Sequence, residues 1–168
     1  MHPVCRLAQG ELHTWRGLEP FPAAKPPACL QSTGEQGWLR FHREPLAYRV
    51  YRLAQSQAQV WLFSPGEGDV CLVEVSEPQQ TQDMDQLGLP DLRYHYPIEA
   101  RLQRPLGNPL KDQEEYVYAS HGISLLFNVP ARGEQRLARV RGFRPMSAAI
   151  YRDRFVELPP VRWFPSAK

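Results

Sequence analysis

The sequence is poor in lysine and in long apolar runs, and each shortage excludes a class of protein. Three lysines accompany seventeen arginines among 168 residues. No apolar run approaches the 18 or so residues of a membrane-spanning helix, and residues 1–12 lack the basic-then-apolar order of a secretory signal. The sequence therefore predicts no membrane span and a cytoplasmic location, with the periplasm as the alternative if an export segment has been removed.

Cysteine is also scarce. Cys5, Cys29 and Cys71 are odd in number and widely spaced, which excludes a disulfide framework or a zinc site and favours a reducing compartment. Cys71 lies in an apolar run over residues 70–75, so we expect a buried, unreactive thiol. Among the five histidines, His2 alone has a paired ligand spacing, with Cys5. We predict no metal and no cofactor.

Positive charge is missing from one long stretch and concentrated in another. No Lys or Arg lies between Arg52 and Arg93, whereas seven arginines lie from Arg132 to Arg154. The formal net charge is nevertheless +2. Such asymmetry indicates either an acidic or nucleic-acid partner or two halves of one fold that neutralise each other, and we favour the second interpretation.

Proline is abundant, and its 17 residues divide the chain into windows that can hold regular structure. Behind Pro3, apolar residues recur at helical spacing, which predicts a helix over residues 4–16. This helix and a proline-rich connection together occupy residues 1–35. Further short helices are predicted at residues 81–87 and, capped by Ser147, close to residue 150.

Two groups of strand-like runs, rich in β-branched and aromatic residues, are separated by turn sequences. The first group comprises residues 46–54, 58–63 and 70–75, with a further strand at 38–42. The second group comprises residues 115–119, 122–128 and 136–143. Each group forms a predicted β-meander followed by a helix, and their opening tyrosines, Tyr48 and Tyr116, are 68 residues apart, which predicts an internal repeat.

These elements predict a single α+β domain over residues 1–168, with a mainly antiparallel sheet from two meander-and-helix units and helices packed on one face. The predicted units occupy residues 36–88 and 113–155, with a long loop at 89–112 and a tail at 156–168. In element order, residues 45–155 resemble the tandem helix-plus-meander proteins of the β-lactamase-inhibitor type. The resemblance implies binding of another protein through an exposed sheet face.

Two short motifs resemble reactive or phosphate-binding sequences but fit turns better. The Ser-His-Gly sequence at residues 120–122 pairs a hydroxyl with an imidazole, yet adjacent strand residues point to opposite faces, and glycine between two strands is typical of a hairpin. The Gly-Glu-Gly sequence at residues 66–68 lacks the helix that follows a phosphate loop. We predict no catalytic residue and lean against an enzyme.

Candidate binding residues are aromatic or arginine side chains, the types that anchor interfaces. By strand alternation, Arg139 and Arg141 share a face with Leu137 and Phe143, which predicts a basic sheet face. The other candidates lie in the long loop and near the C-terminus: Tyr94, His95, Tyr96, Trp163 and Phe164.

Three functions remain open from the sequence. We favour a non-catalytic protein-binding module that uses a sheet face and the loop at residues 93–112. The alternative is an enzyme or small-ligand-binding protein with a pocket between sheet and helices, lined by Tyr116, Tyr118, His121 and Glu115. Nucleic-acid binding through the basic face is the third. An exposed aromatic patch would favour the first function, and titratable groups clustered in a cleft the second.

Overall fold

The computed structural model describes residues 1–54, 56, 58–76, 99–108, 111–130 and 136–156, which form one eight-stranded antiparallel sheet with two helices. The strands are β1 (Leu30–Arg40), β2 (Pro45–Leu53), β3 (Gln59–Ser64), β4 (Leu72–Ser76), β5 (Ala100–Asn108), β6 (Lys111–Tyr118), β7 (Ile123–Pro130) and β8 (Arg136–Phe143). The helices are α1 (Pro3–Ala8) and α2 (Ala148–Phe155). The predicted α+β class with a mainly antiparallel sheet is confirmed. The predicted helix at 81–87 lies outside the described residues.

The strand order is β1-β2-β3-β4-β8-β7-β6-β5. Four consecutive strands form one meander, the next four form a second, and the two meet where β4 pairs with β8. In that pairing Glu74 lies directly opposite Arg141. One continuous sheet therefore contains the strands of both predicted units.

The strands at the two edges of the sheet differ from the predicted elements. Residues 89–112 were predicted as a loop, but β5 lies within this range and pairs with β6. On the opposite edge, β1 begins at Leu30, inside the predicted proline-rich connection. Pro105 in β5 and two glycines in β1 weaken the strand signal, and edge strands tolerate such residues because one side of the backbone has no ladder to complete.

Each face of the sheet has its own buried cluster and its own helix. The face that we call the α1 face packs against Val4, Leu7 and Trp15, through residues such as Val73 and Val140. The other face, the α2 face, packs against α2. There Tyr151 and Phe155 contact Phe143, with ring centroids 4.6 and 5.9 Å from its ring. The two described helices, α1 and α2, therefore lie on opposite faces of the sheet. Because the helix predicted at 81–87 lies outside the described residues, a shared face for the helices of the two meander units stays a prediction.

The N-terminal segment is shorter in helix than predicted and carries a disulfide. Helix α1 ends at Ala8, because Gly10 takes a left-handed conformation (φ 89°), and a single 3₁₀ turn at Leu12–Thr14 follows. Cys5 and Cys29 form a disulfide with a Cα–Cα distance of 6.2 Å. The prediction of unpaired cysteines is wrong for this pair, because α1 packs beside the residues that lead into β1, a proximity that spacing in the sequence does not show.

A β-bulge in β8 changes the predicted faces of that strand. Leu126 pairs with Arg139 and the next residue, Phe127, pairs with Leu137, so β8 has one extra residue, Ala138. A bulge places two residues opposite one and reverses the alternation beyond it. Leu137 therefore joins the buried cluster on the α1 face, while Arg139 faces the other way.

Candidate functional site

The α2 face contains a cluster of charged residues, which we call the buried charged cluster. Its members come from β4, β6, β7, β8 and α2: Glu74, Glu115, Ser124, Arg139, Arg141 and Tyr151. Both glutamates are 0% exposed, and Arg141 is 1% exposed. Charged side chains are almost never buried to this extent unless they are paired.

Every charge in the cluster is compensated by a close partner. Arg139 Nη1 donates to Glu74 Oε1 at 3.0 Å, and Arg141 Nε donates to Glu74 Oε2 at 3.3 Å. Glu115 accepts hydrogen bonds from the hydroxyls of Ser124 and Tyr151, and its Oε2 lies 3.9 Å from Arg141 Nη1.

The cluster also anchors α2 to the sheet. Arg141 Nη1 donates to the carbonyl oxygen of Phe155 at 2.6 Å and to the Tyr151 hydroxyl at 3.1 Å. Because these groups are enclosed and already bonded to one another, a solute cannot reach them in the structure as it stands. Their arrangement indicates a structural role for the cluster.

The predicted basic face is therefore wrong. Arg139 and Arg141 do lie on the same face, but they project into the buried charged cluster, and Arg139 is 21% exposed. The bulge at Ala138 and the covering helix α2, which alternation alone does not reveal, account for the difference. A nucleic acid cannot bind the Arg141 guanidinium without displacing α2.

The residues predicted to line a pocket lie on different faces of the sheet. Tyr116 and Tyr118 belong to the α1-face cluster, whereas Glu115, which directly precedes Tyr116 in sequence, faces α2. His121 ends a 3₁₀ turn at Ala119–His121, followed by Gly122 at φ 67°, which confirms a turn at the Ser-His-Gly sequence. These four side chains do not converge on one pocket.

An open cleft of about 390 Å³ lies at the β1–β3 end of the α1 face, and we call it the Trp38 cleft. Strand β1 contributes Gln36 and Trp38, and the central strands contribute side chains that include Arg49. The remaining side is closed by Ala23 and the β3–β4 turn. Further lining residues are Ala47, Tyr51, Leu62, Ser64, Gly66 and Glu67.

Long-range contacts shape this cleft. Pro22 forms an isolated antiparallel bridge with Asp69, and the Ala23 amide donates to the Gly68 carbonyl oxygen at 3.3 Å. Ser64 Oγ donates to the Gly66 carbonyl oxygen at 2.8 Å and so orders the turn. The segment before β1 is thereby held against the β3–β4 turn, and the two together form one wall.

Trp38 is the main exposed aromatic residue of the described structure, since its relative exposure is 60%. The other large hydrophobic side chains exposed in the described ranges are Met1 and Ile150. Trp38 lies opposite Ala47 in the β1–β2 register, so its indole stands beside a small side chain at the cleft rim. An exposed tryptophan next to a concave surface is typical of a binding site.

Two opposite charges line the cleft and do not pair with each other. Arg49 is exposed, and within the described structure its guanidinium makes one hydrogen bond, from Nη1 to the Ala23 carbonyl oxygen at 3.4 Å. Glu67 is exposed on the β3–β4 turn, and among the described residues its carboxylate forms no ion pair.

No protein-family model matches this chain, and no match is found among curated proteins or solved structures. Within the described ranges, no three His, Cys, Asp or Glu side chains are grouped to hold a metal ion, and no helix is long and apolar enough to cross a membrane. The candidate residues Tyr94, His95, Tyr96, Trp163 and Phe164 lie outside those ranges.

Cys71 has a largely shielded thiol. Its Sγ lies 3.7 Å from the Phe63 carbonyl oxygen, and burial raises its pKa to about 11. A thiol with that pKa is almost wholly protonated near neutral pH and is a poor nucleophile. This agrees with the expected unreactive cysteine, although the residue is partly exposed.

Sequence analysis did not identify Trp38 or Arg49 as site residues. Trp38 was placed on a strand, and the available signal was its position in a short run flanked by polar residues and glycine, which suits an edge strand with an exposed side chain. The wall that makes the concave shape comes from a distant segment, so no local pattern marks it.

Proposed function

We propose that this protein is a non-catalytic binding module that holds an extended segment of another protein in the Trp38 cleft. The observation that carries the proposal is the 60% exposed Trp38 indole at the rim of an open cleft. The glutamates and Arg141 of the buried charged cluster are instead covered by α2. An exposed aromatic anchor without convergent acid–base groups favours binding over catalysis.

The edge position of β1 suits a partner in extended conformation. Strand β1 is exposed along residues 31–40 except at Gly37 and Leu39, which are half-buried. It pairs with β2 on one side, while its other side has no strand partner in the described structure. A register shift between Ser32 and Gln36 interrupts the edge, which leaves residues 36–40 as the regular part. A segment added there would form backbone hydrogen bonds and direct alternate side chains towards the cleft.

This proposal moves the binding surface from the one predicted from the sequence. The proposed binding surface is still a face of the sheet, but it now lies on β1–β3. Arg141 is no longer part of it. The internal repeat also stays a proposal, and it is supported by the meeting of two four-stranded meanders at β4 and β8. The resemblance to tandem helix-plus-meander proteins rests on the same order of elements.

The disulfide between Cys5 and Cys29 supports the alternative location, the periplasm. Disulfides persist in oxidising compartments and are rare in the cytosol. We therefore include a periplasmic or other oxidising compartment in the proposal, because Cys5 and Cys29 are bonded.

A phage-displayed library of random 12-residue peptides tests the binding function. Peptides enriched on the immobilised, oxidised protein would be synthesised, and their affinities measured by calorimetry for the wild type and for Trp38→Ala. We expect at least tenfold weaker binding to Trp38→Ala, because hot-spot aromatic residues contribute about 2 kcal/mol or more.

Ile150→Ala is the matched control, since Ile150 is the exposed hydrophobic residue of α2 and lies on the other face. Its affinity should equal that of the wild type. Equal loss in both variants, or no enriched peptide, would contradict the proposal.

A small-ligand site is the second candidate, and the cleft volume favours it. About 390 Å³ is at the lower end of the range of roughly 300–1,000 Å³ found for small-molecule pockets. A thermal-shift screen of small molecules, repeated on Trp38→Ala, would distinguish it. A compound that stabilises the wild type alone would support this candidate.

A further inference from the structure

We infer that the segment bound in the Trp38 cleft carries one acidic and one basic side chain, the acidic group directed to Arg49 and the basic group to Glu67. This inference rests on the proposed function and specifies the chemistry of the partner. It begins from Arg49 and Glu67, two opposite charges that line one cleft and form no ion pair among the described residues.

Arg49 supplies more donors than its surroundings use. A guanidinium has five N–H groups, and the single described hydrogen bond of Arg49 is long, at 3.4 Å. That bond to the Ala23 carbonyl oxygen attaches the side chain to the cleft wall. A carboxylate is the group that matches the remaining donors in geometry and charge.

Glu67, which also lines the cleft, favours a positively charged group of the partner. Its turn is ordered by the Ser64–Gly66 hydrogen bond and by the backbone contact between Ala23 and Gly68. The carboxylate accepts only, so its complement is an ammonium or guanidinium group. Because Arg49 and Glu67 line the same cleft without forming an ion pair, each can bind a group of the incoming segment.

Trp38 can contact the same segment whose charged groups bind Arg49 and Glu67. Its exposed indole can cover the aliphatic part of a neighbouring side chain or the face of a cation. The net charge of the Arg49 and Glu67 pair is zero, so the cleft does not favour a uniformly acidic or uniformly basic partner. Charges on the segment that complement Arg49 and Glu67 therefore determine which segments bind as well as their affinity.

The peptides enriched in the library experiment also test this inference. We expect enriched sequences to contain one Asp or Glu and one Lys or Arg at a fixed separation. Arg49→Glu should weaken their binding about tenfold to a hundredfold, the range expected on losing a hydrogen bond between charged groups and gaining a repulsion. Exchanging the acidic residue of the peptide for lysine should restore binding to Arg49→Glu.

Glu67→Lys is the reciprocal variant, restored by exchanging the basic residue of the peptide for glutamate. Arg52→Glu is the matched control, because Arg52 is an exposed arginine of the same strand, β2, outside the cleft. Its affinity should stay within twofold of the wild type. The fold of each variant would be checked by circular dichroism and its unfolding midpoint.

The outcomes separate the two claims. Peptides that need Trp38 but show no charge pattern, or whose affinity stays within twofold in Arg49→Glu, would overturn this inference and leave the binding function intact. No enriched peptide would overturn both. Self-association of the wild type that Trp38→Ala loses, measured by sedimentation, would assign the cleft to a second copy of the chain and overturn the inference.

Discussion

At the scale of single residues, Gly122 has the shortest backbone approach among the glycines of the described structure. Its φ is +67°, and a Cβ placed there would lie 2.3 Å from the Phe143 carbonyl oxygen. The Gly122 carbonyl oxygen also accepts from Trp15 Nε1 at 2.7 Å and from the Phe143 amide at 2.9 Å. This turn therefore connects the N-terminal segment to the end of β8.

Gly122→Ala should destabilise the protein by more than the roughly 1–2 kcal/mol that a left-handed conformation costs a non-glycine residue, because the backbone must also shift. Gly34→Ala is the control, since φ is +83° but nothing lies within 4 Å of its Cβ position. Urea unfolding of both variants measures the difference. Equal losses would show that the contact with Phe143 has no cost.

His2 gives the start of α1 a pH dependence. Its Nδ1 accepts a hydrogen bond from the Val4 amide at 3.1 Å, which caps the helix and requires Nδ1 to be unprotonated. Burial lowers the pKa of His2 below 6.5, and the nearby N-terminal amino group lowers it further, while Glu19 raises it. A lowered folded-state pKa means that the stabilisation is present above pH 6.5 and is lost as the pH falls through the folded-state value.

We therefore expect the free energy of unfolding of the wild type to decline relative to His2→Asn as the pH falls from 7.5 to 5. Asparagine can cap a helix but does not titrate in this range. Denaturant unfolding at a series of pH values, with the two proteins compared at each, measures the difference. Parallel curves would contradict a titrating cap.

At the scale of elements, interior strands were predictable and edge strands were not. β8 was predicted with its observed bounds, and β2 and β3 within one residue, because strands with two neighbours carry dense apolar and β-branched residues. β5 was missed because Pro105 and Gly107 break its pattern, and β1 was predicted too short. An edge strand needs fewer of the residues that make a strand recognisable.

Side-chain direction was harder to predict than the presence of a strand. One extra residue, Ala138, sends Leu137 to the α1 face, and no residue type in that stretch signals a bulge. The Trp38 cleft was beyond prediction for a related reason. Its wall depends on the contact of Pro22 with Asp69, which is a property of the assembled sheet.

Helix α2 depends on the sheet charges that it covers. Arg141→Leu would leave Glu74 and Glu115 buried without this counter-ion, so we expect a loss of about 3–5 kcal/mol in unfolding free energy. Arg43→Ala is the comparison, because the Arg43–Asp153 pair joins exposed side chains and should contribute less than about 1 kcal/mol. Urea denaturation of both variants provides the test. A small effect for Arg141→Leu would show that Arg139 alone compensates Glu74.

At the scale of the whole molecule, the disulfide closes a segment that crosses the α1 face and forms part of the cleft wall. Cys5 and Cys29 are 24 residues apart, and closing a loop of this length stabilises a fold by about 3 kcal/mol in the chain-entropy model. The enclosed residues include Leu12, Trp15 and Ala23.

Replacing both Cys5 and Cys29 by serine should therefore lower the unfolding free energy by about 3 kcal/mol, and reductant should lower that of the wild type similarly. Cys71→Ser should keep the redox dependence of the wild type. Thiol alkylation followed by mass spectrometry counts the free cysteines. Three reactive thiols in unfolded, unreduced protein would rule out the bond.

The Glu74–Arg141 pair also implies an order of events during synthesis. Glu74 is translated 67 residues before Arg141, and until β8 is made the first meander ends in β4, a strand with an acidic side chain and no neighbour to receive it. Burying that carboxylate early would be costly. We expect the first four strands to remain unable to complete their packing during translation, and to do so when β8 arrives with Arg141.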